Sequence, residues 1–256
     1  MIEIRQFPAR DDNYGVLVHD TVSGATASID APEEDAILDA LEETGWRLSH
    51  VLVTHHHYDH VEAVKPLKER FGVQVIASAY DTGLGRVPLV DRAVGGGDHL
   101  FLGQARVDVI AVPGHTLGHI AYHIPSAHAL FAGDTLFSLG CGRLFEGTPA
   151  EMWASLRALR TLPPETMVYC GHEYTQGNAR FALTIEPANS ALKRRAREID
   201  ELRDEGRPTV PARLGDEIAT NPFLRADVTE VKAALGMLAA SDEAVFAEIR
   251  ERKNRF

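Results

Sequence analysis

The sequence predicts an α/β fold that is followed by a helical region towards its C-terminal end. Through about residue 170, short apolar and β-branched runs alternate with segments of helical periodicity, as in strands and helices packed in layers. From about residue 175 the strand signals stop and helical patterns follow. With 256 residues, of which 45% are apolar, the chain can bury a sizeable core as one large domain or as a main domain with a smaller addition.

Eight runs before residue 175 have the length and composition of strands. Each is short, apolar and rich in β-branched residues, which fit the pleated and half-buried surface of a sheet. The runs are YGVLVHD, GATASID, HVLVTH, VQVIAS, ARVDVIAVP, HIAYHIP, HALFAGD and TMVYCG. A helix is predicted between the second and third of them, in PEEDAILDALEETG. Pro32 suits its first turn, and Gly45 can end it in the left-handed conformation. Its apolar stripe is formed by Ile37, Leu38 and Leu41.

Two further helices are predicted before residue 175. VKPLKERFG contains Pro66, which is best tolerated near a helix start, so residues 55–60 before it are expected to form an irregular turn. TPAEMWASLRALRTLPP has Thr148 as a suitable N-cap. The residues of this helix expected to face the core are Trp153, Leu156 and Leu159.

Three helical segments are predicted after residue 175, in NSALKRRAREIDELRDEG, DVTEVKAALGM and SDEAVFAEIRERKNRF. The first has a continuous apolar face, so its KRRAR run is expected to be a solvated helix surface rather than an anion-binding site. That apolar face consists of Leu192, Ala196, Ile199 and Leu202.

The composition restricts the classes of partner. A formal net charge of −11 opposes general binding to nucleic acid, because an acidic surface repels the phosphate backbone. No stretch approaches the roughly 20 apolar residues that cross a bilayer, and the start has no apolar core of signal-peptide length. Cys141 and Cys170 lack a Cys-x-x-Cys pairing and are expected to be reduced, packed thiols. The sequence thus predicts a cytoplasmic protein, a monomer or weak dimer, without nucleic-acid or membrane partners.

The segment VLVTHHHYDH, residues 51–60, places four histidines and an aspartate directly after an apolar run. In extended backbone alternate residues share a side, so His55, His57 and Asp59 would point together. His60 must diverge from its neighbour Asp59. A turn that splays its side chains in this way can present ligands to two metal ions.

Three other ligand-type residues follow apolar strands. VDVIAVPGHT leads to His115, HALFAGDT leads to Asp134, and TMVYCGHEY leads to His172. In layered α/β structures, binding sites collect at the carboxyl ends of strands. We therefore expect four strand ends to bring their polar residues to one point.

The seven residues are suited to two divalent cations of zinc type. Imidazole and carboxylate are zinc ligands, and a catalytic site must leave one position open for water. The expected partition assigns His55, His57 and His115 to one ion, and Asp59, His60 and His172 to the other. Asp134 would bridge the ions, because a carboxylate has two oxygens. A single histidine is more often an ordinary hydrogen-bonded residue, but seven such residues at strand ends favour a metal centre.

The other histidines are expected to lie outside this centre. His119, four residues after His115, could support the metal ligands, but a packed histidine is favoured. His56 is expected to face away from the metals. The histidines expected to be structural or exposed are His19, His50, His99, His123 and His128.

The motifs in this order resemble the metallo-β-lactamase superfamily. The segments that carry the resemblance are THHHYDH, PGHTLGH, LFAGDTLF and YCGHEYT. Further segments resemble one branch of it, the glyoxalase II enzymes, which are hydroxyacylglutathione hydrolases. These segments are DNY at 12–14, GDTLF running into GCGRLFEGT, CGHEYT, TNPFLR at 220–225 and the terminal RERKNRF, so the resemblance covers nearly the whole chain.

The resemblance implies a four-layer αββα sandwich as catalytic domain in residues 1–174 and a helical substrate-binding domain in residues 175–256. It implies the same seven metal ligands, with Asp59 and Asp134 as catalytic carboxylates beside a metal-bridging hydroxide. Two zinc ions are expected, with iron or manganese as alternatives, because these ligands accept all three metals. The residues expected to contact glutathione are Arg143, Phe145, Tyr174, Arg250 and Lys253.

Several positions depart from the pattern that this branch usually shows. Position 143 is often lysine and position 145 often tyrosine, so Arg143 keeps the charge while Phe145 lacks a hydroxyl donor. A lost hydrogen bond to a charged group is worth ~1.5 to 3 kcal/mol, so weaker glutathione binding or a compensating contact is expected. The terminal motif usually has aspartate at Asn254, and VEAV replaces a glycine-rich continuation after His60.

The implied reaction is hydrolysis of thioesters such as S-D-lactoylglutathione to a 2-hydroxy acid and glutathione, in methylglyoxal detoxification. A water that bridges two cations has its pKa lowered towards ~7, and the leaving thiolate has a conjugate acid of pKa ~8.5. No separate general acid is then needed. In the terminal helix, Arg250 and Lys253 are neighbours on one face that could meet a glutathione carboxylate. As an alternative, they only complement the helix dipole.

Other enzymes of the same superfamily are alternatives: a lactonase, a phosphodiesterase or RNA-processing nuclease, or a persulfide dioxygenase. The acidic composition opposes the nuclease, and the helical region after residue 175 opposes the dioxygenase. The alternative outside catalysis is a metal-binding pseudoenzyme. The presence of all seven ligand-type residues opposes it.

Overall fold

The protein is described by a computed structural model of residues 1–256, in which the chain forms two units. The first unit consists of Met1–Ala111 and Gly118–Gly133. The second consists of Val112–Leu117 and Asp134–Phe256. The predicted division at residues 174 and 175 stays a prediction.

The first sheet belongs to the first unit and combines antiparallel and parallel strands. Its strands, in spatial order, are β1 (Ile2–Ala9), β2 (Asn13–Asp20), β3 (Thr26–Ile29), β4 (His50–Leu52), β5 (Gln74–Ser78) and β6 (Arg92–Val94). β1, β2 and β3 pair antiparallel, whereas β3 to β6 pair parallel. Because parallel strands run in the same direction, the chain leaves β3, β4 and β5 at the same edge of the sheet.

Four antiparallel strands form a second sheet within the first unit. They are β7 (His99–Leu102), β8 (Ala105–Ala111), β9 (Ile120–Ile124) and β10 (Ala129–Phe131), in the order β10-β9-β8-β7. The fully buried Tyr122 of β9 donates its hydroxyl hydrogen to the Val53 carbonyl after β4, at 2.9 Å. The backbone N–H of Ile120 donates to the Thr54 carbonyl, also at 2.9 Å. These contacts join the two sheets as a sandwich.

Helices cover the first sheet within the same unit. They are α1 (Glu34–Thr44), α2 (Tyr58–Val61), α3 (Val64–Phe71) and α4 (Ala79–Gly83). Ile37 and Leu41 of α1 and Leu67 of α3 are buried in a cluster with residues of β2, β4 and β5. Gly45 ends α1 at φ 69°, as predicted. Pro32 precedes Glu33, the N-cap of α1, so its expected place in the first turn is wrong.

The second unit contains six α-helices and four short strands. The helices are α5 (Pro149–Leu159), α6 (Thr175–Ile185), α7 (Ser190–Asp204), α8 (Leu214–Thr220), α9 (Thr229–Ala234) and α10 (Asp242–Arg255). The strands are β11 (Leu136–Phe137), β12 (Gly140–Cys141), β13 (Met167–Tyr169) and β14 (Ala212–Arg213), which form the antiparallel pairs β11–β12 and β13–β14.

Local signals account for the start of α5 and the packing of α7. The Thr148 hydroxyl accepts from the Glu151 N–H, and the Glu151 carboxylate accepts from the Thr148 N–H, which confirms the predicted N-cap. The predicted apolar faces of α1, α5 and α7 are also largely confirmed, since only Leu38 and Leu202 are half-buried. The other residues of the two faces in α5 and α7 are buried, namely Trp153, Leu156, Leu159, Leu192, Ala196 and Ile199. Lys193, Arg194 and Arg197 of the KRRAR run are exposed.

The predicted fold class is confirmed: the chain is mixed α/β with a sheet sandwich and a helical C-terminal region. All eight predicted strands are present, but β1, β6, β7, β11, β12 and β14 were not predicted. β1 is an edge strand with Arg5 and Pro8 in its sequence, which hides its pattern. α4, α6 and α8 were also missed, because α4 and α8 are short and α6 begins with Thr-Gln-Gly rather than a clear apolar stripe.

Two further expectations concern thiols and membranes. Cys141 and Cys170 are free and buried, as predicted. Burial raises the pKa of the Cys141 thiol to about 11 and that of Cys170 to about 12. None of the helices combines the length and the apolar character needed to cross a bilayer.

Candidate active site

Polar residues gather at the edge where the chain leaves the parallel strands of the first unit. Asp30 follows β3, the segment 54–60 follows β4, and Asp81 lies just beyond β5. Loops at this edge are free to carry polar groups while the sheet holds them in place. Four of the seven predicted metal ligands belong to the segment after β4.

These four side chains form two close pairs. His55 Nε2 lies 3.1 Å from His57 Nδ1, and His60 Nε2 lies 3.6 Å from Asp59 Oδ2. The His55 ring is also close to the His60 ring, with centroids 4.1 Å apart, so the expected partition into two sets stays a prediction. The expected irregular turn is partly wrong, because α2 begins at Tyr58. This helical turn contains Asp59 and His60, whereas His55 and His57 precede it.

Asp30 holds His60 and the start of the segment. Its carboxylate accepts from the Thr54 N–H at 2.6 Å and from the Thr54 hydroxyl at 2.8 Å. His60 Nδ1 lies 2.7 Å from Asp30 Oδ2. Since an ionised carboxylate only accepts, Nδ1 carries the proton and Nε2 has the lone pair that a metal requires. Asp59 is oriented in a similar way by Asn13, whose amide donates to it at 3.1 Å.

The histidines that were not assigned to metal have other partners. His56 Nδ1 lies 3.2 Å from Asp81 Oδ1, so this side chain is directed to the β5 end, as expected for a residue that faces away. His119 is buried and stacks on His55 with ring centroids 4.6 Å apart, a position that fits both a packed histidine and one that supports the proposed ligand. Tyr58 is exposed.

The other three predicted ligands meet in the second unit. His115, Asp134 and His172 lie three or four residues after the ends of β8, β10 and β13, respectively. Asp134 Oδ2 is 3.5 Å from His115 Nε2 and 3.4 Å from His172 Nε2. All three side chains are buried. A carboxylate between two imidazoles is the arrangement that a bridging ligand requires, although the role itself stays a prediction.

Backbone and aromatic contacts fix the two imidazoles. His115 Nδ1 donates to the Arg143 carbonyl at 2.9 Å, which leaves the lone pair of Nε2 available to a metal. The His172 ring stacks on Tyr174 with centroids 4.7 Å apart and an angle of 2° between the planes. The rings of Phe145 and His115 are nearly perpendicular, with centroids 5.3 Å apart.

His115 and Asp134 line a cavity of about 750 Å³ in the second unit. This volume suits a ligand of drug or tripeptide size. The structure brings together the five residues that the resemblance assigned to glutathione, since all of them line this cavity. They are Arg143, Phe145, Tyr174, Arg250 and Lys253.

The three cations of this set differ in their surroundings. Arg143 is exposed. Arg250 is only 5% exposed, and its Nη1 donates to the Cys141 carbonyl at 2.8 Å. Lys253 donates to the Gly177 carbonyl at 3.2 Å. Burial, together with the charges of Arg250 and Arg143, lowers the pKa of Lys253 to about 8.

The structure gives a partner to Asn254, one of the positions that depart from the usual pattern of the glyoxalase II enzymes. Asn254 Oδ1 accepts from Arg250 Nε at 3.1 Å, so the amide keeps a hydrogen bond to Arg250 without the charge of an aspartate. Phe145 is 64% exposed at the cavity and has no hydroxyl to offer a ligand. The effect of this substitution on glutathione binding stays a prediction.

Four polar residues that sequence reasoning did not select also line the cavity: Glu173, Gln176, Asn178 and Arg203. Asn178 donates to the Ser138 carbonyl at 3.0 Å, and Gln176 donates to Asp200 at 2.8 Å. Gln176 and Asn178 lie in α6, Arg203 lies in α7, and Glu173 lies just before α6. No local signal distinguishes them from solvated side chains.

Comparisons with known proteins agree in both halves of the chain. Residues 10–172 match the family model of the metallo-beta-lactamase superfamily, and residues 173–256 match that of the hydroxyacylglutathione hydrolase C-terminus. A hydroxyacylglutathione hydrolase of Rhizobium meliloti (strain 1021) is 57% identical over 255 residues, covering 100% of this chain and 99% of the relative. One of Brucella ovis is 56% identical over 255 residues, covering 100% and 98%.

Solved structures share the fold. ETHE1 from Myxococcus xanthus has a TM-score of 0.71 at 28% sequence identity, with 98% of this chain and 91% of that chain covered. TTHA1623, solved in a di-iron-bound form, has a TM-score of 0.59 at 31% identity, with 66% of this chain and 91% of that chain covered.

Proposed function

Because the chain belongs to the hydroxyacylglutathione hydrolase family of the metallo-beta-lactamase superfamily, we propose that its seven histidine and aspartate ligands form one binuclear metal centre and that the cavity of the second unit binds glutathione. The protein is an enzyme, and its reaction is the hydrolysis of S-(2-hydroxyacyl)glutathione to a 2-hydroxy acid and glutathione. One observation carries the proposal: His115 and Asp134 line the same cavity as Arg143, Arg250 and Lys253.

The superfamily uses divalent metals, and the donor set of this chain fits them. The proposed ligands are His55, His57 and His115 for one ion, Asp59, His60 and His172 for the other, and Asp134 as the bridge. Two divalent cations bound there would polarise the thioester carbonyl and lower the pKa of a water to supply hydroxide at neutral pH. Zinc is proposed, with iron and manganese as alternatives, since TTHA1623 is described in a di-iron-bound form.

The chain orients its proposed ligands through its own hydrogen bonds. Asp30 holds the Nδ1 proton of His60, and the Arg143 carbonyl holds that of His115, so both imidazoles present Nε2. Asn13 orients Asp59 through a hydrogen bond. We propose Asp59 and Asp134 as the carboxylates closest to the reaction, with roles in metal binding and in orienting the attacking water.

The leaving group of this reaction departs without assistance from an acid. Water oxygen adds to the thioester carbon, the C–S bond breaks, and sulfur leaves as a thiolate that takes its proton from solvent. A conjugate acid of pKa ~8.5 makes this thiolate a good leaving group, so no further general acid is required. Arg143 and Lys253 would attract a glutathione carboxylate, and Tyr174 and Phe145 would form aromatic walls beside it.

The physiological setting is also a proposal. S-D-lactoylglutathione is the proposed substrate, and methylglyoxal detoxification the proposed process. Free, buried Cys141 and Cys170 support the reducing cytoplasm as the compartment. We propose a monomer or weak dimer without nucleic-acid or membrane partners, in keeping with the net charge of −11.

The direct test is a spectrophotometric assay of S-D-lactoylglutathione before and after a chelator. We expect hydrolysis by the purified enzyme, loss of activity after chelation, and recovery on addition of zinc. Asp134→Ala should lose most of the activity and one or both metals, whereas Asp39→Ala on the exposed face of α1 serves as control. A variant at position 134 that kept two metals and full activity would refute the bridging role.

The same assay separates the alternatives. Preference for a lactone or a phosphodiester over the thioester would contradict the proposed substrate. Bound metal without activity on a thioester, a lactone or a phosphodiester would favour a metal-binding pseudoenzyme.

A further inference from the structure

A pair of opposite charges lies in the wall of the substrate cavity. Arg203, near the end of α7, and Glu173, directly after His172, both line it. Arg203 Nη1 lies 3.7 Å from Glu173 Oε2. At this distance the two groups attract each other without sharing a direct hydrogen bond. Neither residue belongs to the set that the resemblance assigned to glutathione.

The surrounding contacts hold both side chains in position. Glu173 accepts from the Thr209 N–H at 2.9 Å and from the Thr209 hydroxyl at 2.7 Å. Arg203 Nη1 donates to the Arg207 carbonyl at 2.8 Å, and its side chain is 34% exposed. A guanidinium has five N–H donors, so this bond leaves most of them available to a ligand. The pair is thus a preorganised polar group at the cavity surface.

The other cations of the cavity form a separate group. Arg250 donates to the Cys141 carbonyl, two residues before Arg143 in the chain, and Lys253 follows Arg250 by three residues on α10, so these three charges belong to one region of the cavity wall. Arg203 is instead paired with Glu173. The cavity therefore offers two different electrostatic environments, one purely cationic and one with adjacent positive and negative charge.

Glutathione has two ends that differ in the same way. Its glycine end is a lone carboxylate, which suits a purely cationic group. Its γ-glutamyl end carries a carboxylate and an ammonium on one carbon atom. Beside Glu173, a lone carboxylate would be repelled, whereas a carboxylate with an adjacent ammonium meets complementary charges.

Resting on the proposed function, we infer that Arg203 binds the α-carboxylate of the γ-glutamyl group, with Glu173 beside it to favour the ammonium. Arg203 is thus a specificity-determining residue that distinguishes glutathione thioesters from thioesters of shorter thiols. It holds the end of the substrate that is remote from the reacting carbonyl.

The test compares two ligands that differ in this one carboxylate. Glutathione is compared with 4-aminobutanoyl-cysteinylglycine, which keeps the amine, the thiol and the glycine end. Calorimetry gives the Kd of each ligand, and their S-lactoyl thioesters give KM and kcat. The proteins are the wild type, Arg203→Ala, Arg203→Lys and Arg207→Ala. Arg207 is a matched control because it is an exposed arginine that does not line the cavity.

For glutathione, Arg203→Ala should raise Kd and KM by about fivefold to tenfold, with kcat nearly unchanged, because one charge-assisted contact is lost. Arg203→Lys should lie between this variant and the wild type, since it keeps the charge without the guanidinium fork. Arg207→Ala should behave like the wild type. For the 4-aminobutanoyl ligand, all four proteins should have the same Kd and KM.

Two results would overturn the inference. One is equal affinity of the wild type for both ligands, which does not depend on whether any variant folds. The other is a loss in Arg203→Ala that is as large for the 4-aminobutanoyl ligand as for glutathione. A wild type that hydrolyses S-D-lactoylglutathione with either result refutes the role of Arg203 alone, whereas a wild type that neither binds nor hydrolyses glutathione compounds refutes the proposed function as well.

Discussion

Single residues beside the proposed ligands determine which imidazole nitrogen is available to a metal. Asp30 is the clearest case, because its carboxylate accepts from Thr54 and from His60 Nδ1. Asp30 has φ 57°, a conformation that asparagine tolerates well. Asp30→Asn is therefore a substitution that changes the hydrogen bonding with little backbone strain.

We expect Asp30→Asn to weaken metal binding about 10-fold to 100-fold. The amide oxygen would take the Thr54 N–H and the NH₂ group would face His60 Nδ1, so the imidazole proton would move to Nε2 and block that ligand. Competition with a metal-binding dye measures the affinity without relying on turnover. Asp108→Asn, on β8, is the control. Unchanged affinity in a folded Asp30→Asn variant would contradict this role of Asp30.

The lowered pKa of Lys253 leads us to expect that substrate binding depends on pH. Its pKa is lowered to about 8 by burial and by Arg250 and Arg143, so above this pH the folded enzyme loses the charge that attracts a carboxylate. We therefore expect kcat/KM for S-D-lactoylglutathione to fall as the pH rises through about 8. Lys253→Arg should remove this fall, because a guanidinium stays protonated. Identical pH profiles of the two proteins would exclude Lys253 as the source.

Arg250 and Lys253 look equivalent in the sequence but not in the structure. Both line the cavity three residues apart on α10. Arg250 is buried and donates to the Cys141 carbonyl, so an alanine there would disturb the chain before Arg143 as well as any ligand. Lys253 is therefore the better position at which to test substrate binding.

At the scale of elements, the hairpin of β11 and β12 shapes one wall of the cavity. Its turn contains Leu139 in the left-handed region, at φ 56°. The buried Glu217 of α8 accepts from the Leu139 N–H at 2.7 Å and from the Ser138 hydroxyl at 2.8 Å. Asn221 donates to the carbonyls of Phe137 and Gly140. The hairpin thus depends on side chains that lie about 80 residues later in the chain.

Glu217→Ala should lower the free energy of unfolding by about 3 kcal/mol, because it leaves buried donors without an acceptor. Glu217→Gln keeps one acceptor oxygen, so its free energy of unfolding should fall by less than that of Glu217→Ala. Urea unfolding measures both, with exposed Glu201→Ala of α7 as control. Since the hairpin precedes Arg143, KM should rise in Glu217→Ala. Equal stability of this variant and the wild type would show that the hairpin does not need Glu217.

At the scale of the whole molecule, the proposed metal ligands come from both units of the chain. His55, His57, Asp59 and His60 belong to the first unit, and His115, Asp134 and His172 to the second. Metal bound by such a set stabilises only the folded chain, so its removal should lower Tm. Calorimetric scans with metal, with chelator and after metal addition test this expectation. A Tm that is independent of metal would contradict the proposed metal centre.

Much of this protein could be predicted from the sequence because its signals are local. Strand length, apolar periodicity and the caps of α1 and α5 depend on neighbouring residues, and the ligand-type residues follow directly after recognisable strands. Prediction failed where an element is short, as in β11 and β12, or begins with polar residues, as in α6. The resemblance of the motifs then added the reaction and the expected glutathione contacts.

By itself, the sequence determined the fold class and the inventory of seven ligand-type residues, since both depend on residue types in a fixed local order, and its motifs carried the resemblance that implied a thioester substrate. Only the tertiary structure decided which helix residues face the cavity. Arg203 beside Glu173 and Arg250 on the Cys141 carbonyl are contacts between residues distant in the chain. Such contacts are formed by packing, and no local pattern distinguishes these charges from those that remain in solvent.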